Sequence, residues 1–110
     1  MRDLFVDELL LITPLRDAVG VRLYGEALGA HKAPLAVAVT EHSSLAEEVT
    51  VDLTRVTYLS NSVLETLVAL ARSLTPPRCL RVLAGPELGL LDRLMSYGWD
   101  EIGGLRVMSG

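Results

Sequence analysis

Two histidines, an aspartate and a serine are the first residues of this chain whose types could support catalysis or metal binding. His31 and His42 lie far apart in the sequence without a set of ligands at the usual spacing. A zinc or iron site is therefore not expected, and both histidines are predicted to lie on the surface. Ser60, His31 and Asp52 could form a catalytic triad, but no nucleophile elbow or glycine-rich oxyanion loop accompanies them. We expect no catalytic residue, no metal and no cofactor.

Three further groups are better explained by structure than by chemistry. Glu47 and Glu48 are adjacent, and because neighbours on a strand point to opposite faces, they cannot share a proton. Residues 85–89 (GPELG) contain glycines but lack the lysine and the spacing of a phosphate-binding loop. Cys79 is the only cysteine and precedes an apolar run, so it is predicted to be buried and unreactive.

Length and charge narrow the class of protein. The chain has 110 residues, which suits a single domain over residues 1–110. Half of the residues are apolar, yet no apolar run approaches the roughly 18 residues that span a bilayer. The net charge is −4 and the basic residues are scattered, so nucleic acid is not an expected partner. Charges near the start leave no room for a secretory signal, and we expect a cytoplasmic protein that is not inserted into a membrane.

Short runs of β-prone residues predict the strands. Residues 9–12 and 21–24 are separated by turn-forming residues and predict a first hairpin. Apolar residues alternate along residues 48–53, which we predict as a central strand, with residues 55–59 as its exit loop. Two more strands are predicted at residues 80–84 and 105–108.

Helical spacing is clearest at residues 62–74. Ser62 and Glu65 match a capping box, in which each side chain bonds the other residue's backbone N–H, so Ser62 is predicted to cap this helix. Ser60 is predicted to be a solvated loop serine. Pro76 and Pro77 should end the helix, because proline lacks a backbone donor.

Two other segments are predicted as helices. Residues 33–42 have mixed propensities, but a crossover between parallel strands is needed there, and such crossovers are nearly always right-handed helices. From Gly85 to Gly98, an amphipathic pattern places Leu88, Leu91, Leu94 and Met95 on one buried face. Trp99 is predicted to pack beside it.

Two motifs resemble the STAS domain family, to which the anti-sigma-factor antagonists belong. Residues 51–64 (VDLTRVTYLSNSVL) resemble its signature V-D-L-S-x-V-x-F-[IL]-D-S-S-G-L, and residues 23–26 (LYGE) resemble its L-x-G-E turn. Residues 86–99 resemble its last amphipathic helix. The resemblance covers almost the whole chain and implies an α/β STAS fold, a mixed sheet of about four to five strands packed against amphipathic helices.

The same resemblance implies a regulated position. In antagonist members, a serine directly after the Asp of D-S-S-G is phosphorylated by a partner serine kinase that also acts as an anti-sigma factor. Ser60 aligns with that Asp and Asn61 with the phosphoacceptor serine. Ser62 aligns with the second serine and Val63 with the glycine, so the chain departs at three of the four positions. Asn61 has no hydroxyl, so no switch is expected there, while Ser60 and Ser62 remain rival phosphosites.

A helix N-terminus suits a charge switch, because its free backbone N–H groups and dipole favour negative charge. The predicted partner surface comprises the loop at residues 59–62, the start of the next helix and the turn at residues 25–32. Its candidate residues are Gly25, Glu26, Leu59, Ser60, Asn61, Ser62 and Val63.

The resemblance implies a regulatory domain that binds a protein, most directly a serine-kinase anti-sigma factor. Two alternatives stay open. One is a STAS subunit of a scaffolding or lipid-transporter complex, and the other is a domain that binds a small molecule or nucleotide. A homodimer also stays open.

Overall fold

Six strands form one sheet in which the spatial order follows the chain, β1-β2-β3-β4-β5-β6. The computed structural model describes residues 3–41 and 46–109. The first two pairings are antiparallel, and those from β3 to β6 are parallel. The strands are β1 Phe5–Val6, β2 Leu10–Pro14, β3 Gly20–Ala27, β4 Glu48–Leu59, β5 Cys79–Ala84 and β6 Leu105–Ser109.

Helices make the three crossovers that the parallel strands require. They are α1 Lys32–Glu41, α2 Asn61–Arg72 and α3 Leu90–Ser96, with short 3-10 turns at Gly29–His31 and Pro86–Leu88. Because successive crossovers are right-handed and the strand order is sequential, all three helices cover the same face of the sheet. The other face is left without a helix.

The hydrophobic core fills the space between the sheet and these helices. Alternate strand residues such as Val21, Val51 and Val82 are buried there, together with Leu35 of α1 and Leu67 of α2. The mixed α/β fold predicted from the sequence is confirmed, as are the helix at residues 32–41 and the strands at residues 79–84 and 105–109. Cys79 is buried, as predicted.

The sheet is larger than the sequence indicated. It has six strands because residues 5–6 pair with residues 11–12, a two-residue strand too short to leave a pattern. The prediction of an exit loop at residues 55–59 was wrong, since β4 continues to Leu59. It continues because β3 is long enough to pair with it up to Ala27, with local register shifts.

The segment after β5 has a different phase from the predicted one. Leu88 and Leu94 are buried as expected, but Leu91 and Met95 are 58% and 61% exposed. Gly89 adopts a left-handed conformation (φ 57°) that separates the 3-10 turn from α3. The break shifts the helical phase, so that Leu90 and not Leu91 faces the core.

Candidate functional site

The predicted partner surface lies at the edge of the sheet where β3 and β4 end side by side. Ala27 pairs with Leu59, and the backbone N–H of Ser60 donates to the Ala27 carbonyl at 2.9 Å. Parallel pairing thus brings the turn at residues 25–32 next to the loop at residues 59–62. A Cβ on Gly29 would lie 3.1 Å from the Ser62 Oγ, which shows how closely the two segments approach.

The N-cap of α2 is Ser60, two residues earlier than predicted. Its Oγ accepts a hydrogen bond from the backbone N–H of Val63 at 3.3 Å, and it lies 3.1 Å from the Ser62 Oγ. The predicted capping box of Ser62 and Glu65 was therefore wrong, because the helix already begins at Asn61. Ser60 is a structural cap and not a free loop serine.

Asn61 is exposed at the first position of α2, and both ends of its side-chain amide are held by residues near α3. Its Nδ2 donates to the Tyr97 hydroxyl at 2.9 Å, and its Oδ1 accepts from Arg93 Nη2 at 2.7 Å. The same Nη2 donates to the Leu59 carbonyl at 2.7 Å. The Tyr97 ring stacks on Trp99 at a centroid distance of 4.8 Å. The group at position 61 is thus fixed from outside its own helix.

Three of the predicted contact residues have structural roles. The side chains of Leu59 and Val63 are 2% and 0% exposed and belong to the core, so they cannot meet a partner. Gly25 has φ +106°, and a Cβ there would lie 2.1 Å from the Leu9 carbonyl oxygen, so only glycine allows β2 and β3 to pair here. Glu26 is exposed beside it.

The accessible part of this edge combines aromatic and polar side chains around a recess of about 300 Å³. Tyr58, Asn61, Glu87 and Arg93 are among the residues that line it. Tyr58 is 52% exposed and Tyr97 is 49% exposed. Such a recess can receive a partner side chain, and half-exposed tyrosines provide contact area with a polar end.

His31 was predicted to lie on the surface, but it is 2% exposed. Its Nδ1 accepts from the backbone N–H of Leu28 at 2.9 Å, and its Nε2 lies 2.7 Å from Asp7 Oδ2. The backbone N–H groups of Leu10 and Leu9, followed by the His31 ring, hold the pKa of the Asp7 carboxyl below its usual value. His31 thus joins the turn after β3 to the start of the chain. His42 lies outside the described residues.

The three residues of the rejected catalytic triad do not come together. His31 contacts Asp7 and Leu28, while Asp52 contacts Arg22 and Thr54 on the sheet. Within residues 3–41 and 46–109, no group of three His, Cys, Asp or Glu residues could hold a metal ion. Across the same residues, no helix has the length and apolarity to cross a membrane.

Sequence reasoning missed Arg93 and Tyr97. They lie 32 and 36 residues from Asn61, and only the tertiary fold brings them to the start of α2. The available signal was their i, i+4 spacing on the amphipathic segment, which puts both on one side of α3.

Comparisons with known proteins agree with this fold. A family model described as "Mlab, STAS domain" matches residues 13–107. No curated protein matches the chain. Among solved structures, an anti-sigma factor antagonist from Mycobacterium paratuberculosis superimposes with a TM-score of 0.71 at 22% sequence identity. The match covers 88% of this chain and 85% of the other. Both motifs, the strand order and the matched length lead to one conclusion, that this chain belongs to the STAS domain family.

Proposed function

We propose that this domain regulates by binding a protein partner, a serine-kinase-type anti-sigma factor, and that phosphorylation at the usual position does not switch it. It works in the cytoplasm and catalyses no reaction. The contact surface is the edge formed by Glu26, Tyr58, Asn61 and Tyr97.

The observation that carries this proposal is the state of Asn61. It is exposed where α2 begins, at the position that the motif alignment gives to the phosphoacceptor, and it has no hydroxyl to accept a phosphoryl group. Hydrogen bonds from Arg93 and to Tyr97 hold its amide in one orientation. A partner therefore meets an uncharged side chain at position 61, which does not acquire the roughly −1.5 to −2 charge of a phosphoserine.

The surroundings of Asn61 support a protein partner. Tyrosine is enriched among the residues that dominate binding energy at interfaces. Tyr58 lines the recess, Tyr97 accepts a hydrogen bond from Asn61, and both are about half exposed. Glu87 lines the recess, and Glu26 is exposed on β3 at the register position that pairs with Tyr58. Charges around an interface affect the rate and specificity of association more than affinity.

Affinity purification from the native cell, with intact-mass measurement of the recovered domain, tests the proposal. Recovery of the unmodified domain with a kinase-type anti-sigma factor is the expected result. A phosphate on Ser60 or Ser62 would contradict the absence of a switch. Substituting Ser for Asn61 should allow transfer of one phosphoryl group by the recovered kinase, and failure of that transfer would count against the proposed alignment.

A matched pair of substitutions tests the surface. Tyr58→Ala removes a tyrosine from the end of β4, and we expect it to weaken partner binding at least about 10-fold. Val19→Ala removes a side chain of similar exposure from the turn before β3, at the opposite end of the sheet. Equal effects of the two substitutions would place the partner elsewhere.

The fixed state of Asn61 also favours a second candidate, a permanently assembled STAS subunit of a scaffolding or lipid-transporter complex. Such a subunit needs no switch at position 61. The same purification distinguishes the two candidates. Recovery of transporter or scaffold subunits without a kinase would support the assembled subunit and contradict the anti-sigma factor partner.

A further inference from the structure

The face of the sheet without helices has a polar centre. Strand residues alternate between faces, so Thr50 and Asp52 of β4 point away from the helices, which pack on Val49 and Val51. Even so, Thr50 and Asp52 are only 3% and 4% exposed. Neighbouring side chains and the loop after β2 cover them, although no helix lies above them.

These covering groups enclose a groove of about 430 Å³. The end of β2 and the loop after it, residues 14–18, form one wall. Arg22, Tyr24 and Arg81 form others around a floor of Thr50 and Asp52. Small-molecule sites have volumes of roughly 300–1,000 Å³, so the groove has the size of such a site. It lies away from Asn61, on the opposite side of the sheet from α2, and the proposed function does not use it.

Cationic side chains outnumber anionic ones in the lining of the groove. Three arginines and two aspartates line it (Arg16, Arg22, Arg81, Asp17 and Asp52), which makes +3 and −2, or +1, whereas the whole chain carries −4. Glu48, which pairs with Arg81, is outside this lining and offsets the excess. Each guanidinium has five N–H donors. Nε of Arg22 donates to Asp52 at 2.9 Å, and Nη1 of Arg81 donates to Glu48 at 3.1 Å.

Arg81 differs from Arg22 in one respect. Its Nε is buried and is the one buried side-chain nitrogen or oxygen without a hydrogen-bond partner in the described part of the chain. A buried donor without an acceptor is costly. The Arg81 side chain is still 34% exposed, so an oxyanion in the groove can accept from the remaining N–H groups of this guanidinium. Pro14, Leu15, Tyr24 and Leu83 add apolar surface to the lining, against which an organic body can pack.

We propose that this groove binds a small organic anion, with a planar apolar body against Tyr24 and Leu83 and a carboxylate or phosphate group paired with Arg81.

The test is an NMR titration of the ¹⁵N-labelled protein with three probes of similar shape, namely benzoate, phenyl phosphate and benzamide. Benzoate and phenyl phosphate should shift the amide resonances of Thr50, Arg81 and Leu83, and benzamide, which is neutral, should not. The stronger of the two anions then identifies the preferred charged group. Equal shifts with benzamide, shifts spread over the whole surface, or no shifts with either anion would overturn the proposal.

Two arginine substitutions provide a matched control. Arg81 and Arg106 are direct partners across β5 and β6 on this face, but only Arg81 lines the groove as described. Arg81→Gln should weaken binding of the anions about 10-fold, while Arg106→Gln should change it less than about 2-fold. Equal losses would indicate non-specific attraction and overturn the site. The comparison of benzoate with benzamide on the unsubstituted protein does not depend on how either variant folds.

Discussion

Asn61 and Asp52 are centres of two hydrogen-bonded clusters that differ in burial and charge. Asp52 is 4% exposed and carries a charge, which Arg22 and Thr54 compensate within the sheet. Asn61 is exposed and neutral, and its partners Arg93 and Tyr97 also reach water. A buried charge that loses its partners costs much more than an exposed amide that can bond water instead. Stability therefore depends on position 52, whereas position 61 is free to serve recognition.

Replacing each centre with alanine tests this comparison most strongly. Asp52→Ala should lower the free energy of unfolding by about 2–3 kcal/mol, because it leaves the Thr54 N–H and hydroxyl and the Arg22 guanidinium without their acceptor. Asn61→Ala should lower it by about 0.5 kcal/mol or less, since water replaces its exposed partners. Urea unfolding of both variants measures the two values. Similar losses would mean that the Arg93 and Tyr97 contacts are a structural requirement of the fold.

Acid should remove the charge-dependent part of the Asp52 effect. Burial acts to raise the pKa of Asp52, but hydrogen bonds from the Thr54 hydroxyl and N–H and from Arg22 outweigh it and keep the pKa below 3.8. The unfolded chain then binds more protons in this range, so stability rises with pH. The contribution is fully present above 3.8 and is lost as the pH falls through the lowered pKa of the folded state.

The measurement is urea unfolding of the unsubstituted protein and of Asp52→Asn, from neutral pH down to acid. The difference between them should shrink once the pH falls below 3.8, because protonated Asp52 resembles asparagine. Asp7 has a lowered pKa for a similar reason and is unchanged in both proteins, so its titration cancels. A difference that stays constant with pH would show that the charge of Asp52 does not contribute.

A smaller effect distinguishes the two serines beside Asn61. Ser60→Ala removes the N-cap of α2 and should lower the free energy of unfolding by about 1 kcal/mol. Ser62 lies inside the first turn of α2, so Ser62→Ala should change the free energy of unfolding by no more than about 0.5 kcal/mol. Thermal or urea unfolding of the pair measures this order. The reverse order would restore Ser62 as the cap.

The local sequence was sufficient to predict a helix or strand where the hydrophobic pattern lies within that element. The helical spacing after Ser60 and the alternation in residues 48–53 both arise from neighbouring residues, and α2 and β4 lie there. The capping prediction failed because Ser60 and Ser62 both suit an N-cap, and local chemistry does not decide between them. The prediction of where β4 ends failed because the last residues of this strand are held by pairing with β3 and not by their own β-propensity.

The sequence by itself determined the α/β class, the STAS motifs and the absence of a hydroxyl at position 61, since these follow from residue types and short spacings. Only the tertiary structure placed Arg93 and Tyr97 on Asn61, buried His31 against Asp7, and left the Asp52 face of the sheet without a helix. Each of these depends on contacts between residues distant in the chain. Such contacts depend on how helices and strands pack, and the periodicity of hydrophobic residues along the chain does not predict them.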